Sequence, residues 1–67
     1  MKVVIGYLDK SICELVLTPE DKILYKGNKN VAINIYKEHK KPEESNKEFL
    51  MRLPKILHSY VWANLED

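Results

Sequence analysis

The chain has 67 residues, 45% hydrophobic and 31% charged, which is typical of a folded soluble chain and excludes a largely disordered one. Because single domains begin at about 50 residues, the length predicts one small domain spanning residues 1–67. The formal net charge of +1 excludes a general electrostatic attraction to nucleic acid or to an anionic membrane.

One cysteine, Cys13, cannot form an internal disulfide, on which small secreted domains usually depend. No apolar run reaches the roughly 18 residues of a membrane span, and no signal-peptide pattern opens the chain. We therefore expect a cytoplasmic protein that does not enter a membrane.

The first 25 residues have a strand-like composition, rich in Val, Ile, Leu and Tyr. Segments 1–8 and 11–17 predict a hairpin with its turn at Asp9-Lys10. Segment 18–21, which contains Pro19, predicts a second turn before a short third strand over 23–26. Together these segments predict an antiparallel meander.

Alternation along the second strand leaves neither face cleanly polar. One face carries Cys13, Leu15 and Leu17, and the other carries Ile12 and Val16 on either side of a glutamate. Since helices can cover one face of such a sheet, we expect the other to be partly exposed or to meet another chain.

Segment 31–41 fits two structures. As a helix it places one apolar face on Val31, Ala32, Ile35 and Tyr36, whereas β-branched residues alternating over 31–35 would suit a strand. The start and stop signals favour the helix, because Asn30 can cap its start and Pro42 follows its end.

A second helix is predicted by Ser45 and Glu48, which have the spacing of a capping box. A helical apolar stripe follows and keeps its phase through Pro54, consisting of Phe49, Leu50, Leu53, Ile56, Leu57, Tyr60 and Val61. This continuity favours one helix kinked at Pro54, with a break at Leu53 as the alternative. The predicted fold is α+β, a three-stranded antiparallel meander followed by two helices packed on one face. The alternative is four strands plus one C-terminal helix.

Catalytic and metal-binding patterns are absent from the sequence. Cys13, His39 and His58 stand apart from any nucleophile, base or metal-ligand motif, and Gly6 and Gly27 form no phosphate loop. We therefore expect neither an enzyme nor a cofactor, and we interpret Cys13 as an ordinary buried side chain.

Segment 22–41 carries six lysines and one glutamate, a charge of +5. Lysines interleaved with tyrosine can follow a phosphate backbone and stack bases, which makes nucleic-acid binding an alternative function. Its candidate residues are Lys26, Lys29, Lys37, Lys40, Lys41 and Tyr36. Against it stand the acidic ends of the chain and the presence of only one arginine, Arg52.

The predicted last helix carries a second stripe beside its core stripe, formed by Met51, Pro54, His58 and Trp62. Methionine and tryptophan are favoured at the centres of protein interfaces, although such a flank can equally pack against the rest of a small domain. A domain of this size also has a marginal core, which a second subunit would supplement.

These features predict a small regulatory or inhibitor protein that binds another protein stoichiometrically and forms a homodimer. Nucleic-acid binding through segment 22–41 is one alternative. Sequestration of a small nucleotide-like ligand between subunits is the other.

Overall fold

The computed structural model describes residues 1–57 and 61–67, which form one four-stranded antiparallel sheet and two helices. The elements in chain order are β1 (Lys2–Tyr7), β2 (Lys10–Leu17), β3 (Ile23–Gly27), α1 (Lys29–His39), α2 (Asn46–Ile56) and β4 (Val61–Glu66). The strand order in the sheet is β3-β2-β1-β4, so the last strand pairs with the first. The α+β class, the meander and the two helices are confirmed, and a fourth strand is added.

The β1–β2 hairpin turns at Leu8 and Asp9, one residue earlier than predicted, because Tyr7 pairs with Lys10. Leu8 has a φ of 56°, in the left-handed region that leucine rarely adopts. Further along, Ile5 pairs with Cys13 and Gly6 with Ser11, so a β-bulge leaves Ile12 without a partner in β1.

The predicted turn over 18–21 is confirmed and also positions α2. Asp21 has a φ of 60°, and its carboxylate accepts hydrogen bonds from the backbone N–H groups of Asn46 and Lys47. The Asn46 side chain in turn donates to the Asp21 carbonyl over 2.7 Å. A carboxylate at the first turn of a helix satisfies free N–H groups and favours the helix dipole, so this turn anchors the start of α2.

The ambiguous segment is helical, and its interpretation as a strand is wrong. Helix α1 begins after Asn28, whose side chain accepts from the Val31 N–H, two residues before the predicted cap at Asn30. It ends at His39, before Pro42, as the proline stop signal predicts. Its apolar face lies on the core, with Ala32 buried and Ile35 and Tyr36 packed beside it.

Helix α2 begins with the predicted capping box: Ser45 Oγ accepts from the Glu48 N–H, and Glu48 accepts from the Ser45 N–H. Pro54 lies inside the helix, but the helix ends at Ile56, and Leu57 has extended backbone angles. The prediction of one kinked helix continuing through Val61 and Trp62 is therefore wrong, as is the break at Leu53. The predicted core position Tyr60 lies outside the described residues.

Both helices pack on one face of the sheet, α1 over β2 and β3 and α2 mainly over β4. Alternate strand residues point into this layer, so the buried core consists of Val3, Ile5, Cys13, Leu15, Ala32, Phe49, Leu50, Leu53 and Ala63. Neither helix in the described part of the chain is long and apolar enough to cross a membrane.

The two helices are joined by aromatic and charged contacts. The Tyr36 ring meets Phe49 edge-to-face at 5.4 Å, and its hydroxyl donates to Asn46 Oδ1 over 3.0 Å. Arg52 donates twice to the Glu44 carboxylate and once to the His39 carbonyl at the end of α1. These contacts hold the helix layer together on one face of the sheet, and no described helix covers the other face.

Candidate functional site

The predicted interface stripe does not lie on one helix face. Met51 and Pro54 are on α2, and Met51 is 48% exposed. Trp62 is in β4, and His58 lies outside the described residues. The helical spacing that grouped these residues fails because α2 ends at Ile56, so Met51 and Trp62 lie on opposite sides of the sheet.

Trp62 packs on its cross-strand partner Gly6. A Cβ atom built on Gly6 would lie 2.0 Å from the Trp62 ring, so only glycine leaves room for the indole. The indole Nε1 donates to the Leu8 carbonyl over 2.5 Å. An aromatic side chain covering a cross-strand glycine stabilises a sheet, so Trp62 has a structural role at the hairpin turn.

The lysines of segment 22–41 lie towards the two ends of α1. Lys26 and Lys29 lie near its first residue, whereas Lys37, Lys40 and Lys41 lie eight or more residues later, about 12 Å along the helix axis. Tyr36 packs edge-to-face against Phe49 and Tyr25 and is therefore committed to the helix layer. Nucleic-acid binding remains a prediction that now rests on the lysines alone.

The side chains with nucleophilic or basic groups occupy structural positions. Cys13 is 2% exposed; burial, and then the charge of Glu14, raise the pKa of its thiol. Because the thiolate is the reactive form, this thiol is unreactive at neutral pH. Ser45 caps α2, and His39 offers its carbonyl to Arg52. Among residues 1–57 and 61–67, no three His, Cys, Asp or Glu side chains come together as a metal site.

The most distinctive surface is the side of the sheet opposite the helices, which we call the open face. Leu24 in β3 pairs with Val16 in β2. Val4 in β1 is the diagonal neighbour of Val16, and Trp62 in β4 is the diagonal neighbour of Val4. Diagonal neighbours in a sheet are within reach of large side chains. Four apolar side chains therefore form a diagonal strip across all four strands; Leu24, at one end, is 53% exposed.

Charged side chains lie on both sides of this strip. Lys2 Nζ is 3.3 Å from Glu14 Oε1 and 3.9 Å from Glu66 Oε1. The Lys2–Glu14 pair crosses the strip between Val16 and Val4, since each partner pairs with one of these valines. The strip therefore consists of two apolar pairs, Leu24 with Val16 and Val4 with Trp62, on either side of an ion pair, and protein-binding surfaces commonly combine apolar and charged side chains.

A small cavity of about 90 Å³ lies beside the strip at the β-bulge and is lined in part by Ile12, Glu14, Lys26 and Gly27. Gly27 has a φ of +75° and closely approaches the Ile12 carbonyl, which shapes this notch. Pockets that enclose a drug-sized ligand are usually about 300–1,000 Å³. The notch has room for one side chain of a partner rather than for a nucleotide.

Sequence reasoning identified part of this surface and missed the rest. Alternation along β2 indicated a second apolar face at Val16, but Val4 and Leu24 were not joined to it, because their alignment depends on strand register. Trp62 was assigned to a helix, and only its pairing with Gly6 places it at the end of the strip. No family model, curated protein or solved structure matches this chain, so the open face itself is the basis for a functional assignment.

Proposed function

We propose that this chain is a small cytoplasmic regulatory or inhibitor protein that acts, as a homodimer, by stoichiometric binding to a larger protein through its open face. The observation that carries the proposal is the diagonal strip of Leu24, Val16, Val4 and Trp62. The helices build the buried core on the other side of the sheet, so these side chains are available to a partner.

The chemistry of the strip defines the surface that it would bind. A partner would present an apolar ridge to Val4, Val16 and Leu24, and it would place charges of both signs against Lys2 and Glu14. Trp62 is already fixed by its hydrogen bond to Leu8, so binding would lose little side-chain entropy at that position. Rigid aromatic anchors of this kind are common at interface centres.

The test is a capture experiment with the purified, tagged chain and lysate, washed with nuclease and with high salt. We expect one protein to remain at a fixed ratio, and we expect Leu24→Lys to reduce its recovery by about tenfold or more, because a lysine would be desolvated in an apolar contact. The matched control is Leu8→Lys, which changes an exposed leucine of similar accessibility in the hairpin turn, outside the strip and outside β4.

The outcomes separate the alternatives. If the Leu24→Lys variant recovers as much partner protein as the unchanged chain does, the assignment of the open face is overturned. Recovery lost with nuclease or salt would overturn protein binding and favour the lysines of segment 22–41, since phosphate contacts are strongly salt-dependent.

A further inference from the structure

The two edge strands of the sheet differ in how well they are protected. No described strand pairs with the outer side of β3 or of β4. Strand β3 contains Lys26 and is preceded directly by Lys22, and it ends at Gly27, which has a positive φ. Lysines and irregular backbone on an edge discourage pairing with another strand. The β4 edge contains neither lysine nor proline, and all six of its residues pair with β1 in a continuous register.

An exposed apolar side chain lies on the unprotected β4 edge. Leu65 points to the helix side, since it is paired with the core residue Val3, yet it is 40% exposed.

We propose that β4 pairs antiparallel with β4 of a second copy, with Ala63 opposite Ala63 on the twofold axis, forming one eight-stranded sheet. This inference rests on the homodimer of the proposed function and specifies how its two copies join. The open faces then lie on the same side of the continuous sheet, and both remain free for the larger partner.

The register follows from the side chains. A continuous sheet requires paired residues to point to the same side, so the axis passes through a residue pair. With Ala63 on the axis, Val61 lies opposite Leu65 of the second copy on the helix side, and Trp62 lies opposite Asn64 on the open side. This arrangement covers Leu65 with Val61 of the second copy. It also keeps the two Glu66 carboxylates at opposite ends of the strand pair. The register centred on Asn64 instead sets Trp62 against Glu66.

The first test is the molar mass of the full chain by light scattering across a concentration series. We expect a dimer, and we expect Leu65→Lys to raise its dissociation constant by about tenfold or more, since an edge lysine must be desolvated on pairing. Leu24→Lys, on the protected β3 edge and the open face, should leave the dimer intact. A monomer at every concentration, or a dimer lost in Leu24→Lys and retained in Leu65→Lys, would overturn the inference.

The second test reads the register and does not require a disruptive variant. Val61→Cys and Leu65→Cys, mixed and oxidised, should give a covalent heterodimer, whereas each alone should not cross-link, because identical positions lie about 13 Å apart along the strands. Native Cys13 is buried and gives little background. Self-cross-linking of either variant, or no cross-linking of the mixture, would overturn this register. Capture of the larger partner by a monomeric chain would leave the open-face proposal standing.

Discussion

The two faces of the sheet are built from alternate residues of the same strands, yet they reach different environments. On the helix side Val3, Ile5 and Leu15 are fully buried. On the open face Val4 and Val16 are only half-buried, and Leu24 is mostly exposed. Strand alternation alone does not decide which face becomes the core; the two helices that cover one face do. The apolar residues on the other face therefore lie outside the buried core.

The largest expected difference between the faces is in the free energy of unfolding. Phe49→Ala should lower it by about 3–5 kcal/mol, because Phe49 is fully buried at the centre of the helix layer. Leu24→Ser should change it by no more than about 0.5 kcal/mol, because its side chain is already largely in water.

Chemical denaturation followed by circular dichroism measures both values, and Phe49→Leu serves as a milder variant if Phe49→Ala does not fold. Equal losses at Phe49 and Leu24 would show that the open face is part of a core, which would contradict the comparison.

The second difference concerns the one large aromatic side chain on the open face. Gly6→Ala should lower the free energy of unfolding by about 1–3 kcal/mol, since a methyl group cannot fit beneath the Trp62 ring. Trp62 is the only tryptophan, so its displacement should also shift the fluorescence emission to longer wavelength. In a Trp62→Ala background the loss from Gly6→Ala should shrink, and full additivity would argue against packing of the indole on this glycine.

The hairpin turn at the end of the open face offers a stabilising change. Leu8→Asn should raise the free energy of unfolding by about 0.5–1 kcal/mol, because asparagine tolerates the left-handed conformation better than leucine does. The matched control is Asp9→Asn in the same turn, where φ is not positive and no gain is expected. Thermal melting of both variants measures the effect, and a gain only in Asp9→Asn would contradict this assignment of strain.

The smallest expected effect is the pH dependence of the helix layer. Hydrogen bonds from Arg52, and then from the Lys41 N–H, lower the pKa of Glu44 to about 2 from 4.5. A lowered pKa means that this carboxylate stabilises the folded state above about pH 4.5 and that the contribution is lost as the pH falls towards 2. Glu44→Gln should flatten the stability profile in that window, whereas the exposed change Glu38→Gln should not. Denaturation midpoints between pH 2 and pH 6 measure the difference, which should be modest because solvent screens the pair.

The sequence predicts most of the helix-covered face because its signals are local. The capping box of Ser45 and Glu48, the core positions of Phe49 and Leu53, and the turn before β3 all depend on neighbouring residues. Each of these predictions is confirmed by the fold.

The open face was harder to predict because it depends on contacts between distant residues. Segment 61–66 fits a helical stripe, but Val61, Ala63 and Leu65 also alternate with Trp62 and two polar residues, as in a strand. Its pairing with β1, which begins the chain, decides between the two structures, and no local pattern reveals that pairing. The strip on the open face, whose alignment needs all three registers, was therefore beyond sequence reasoning.

The most direct test of the account is a methyl NMR titration of the isotope-labelled chain with the protein that it captures. We expect the largest shifts at the methyl groups of Val4, Val16 and Leu24, with the core methyls of Val3 and Leu53 nearly unchanged, because the proposed function places the partner on the open face only. Shifts confined to the α1 side, at Val31 and Ile35, would place the partner on the helix layer and contradict the central claim.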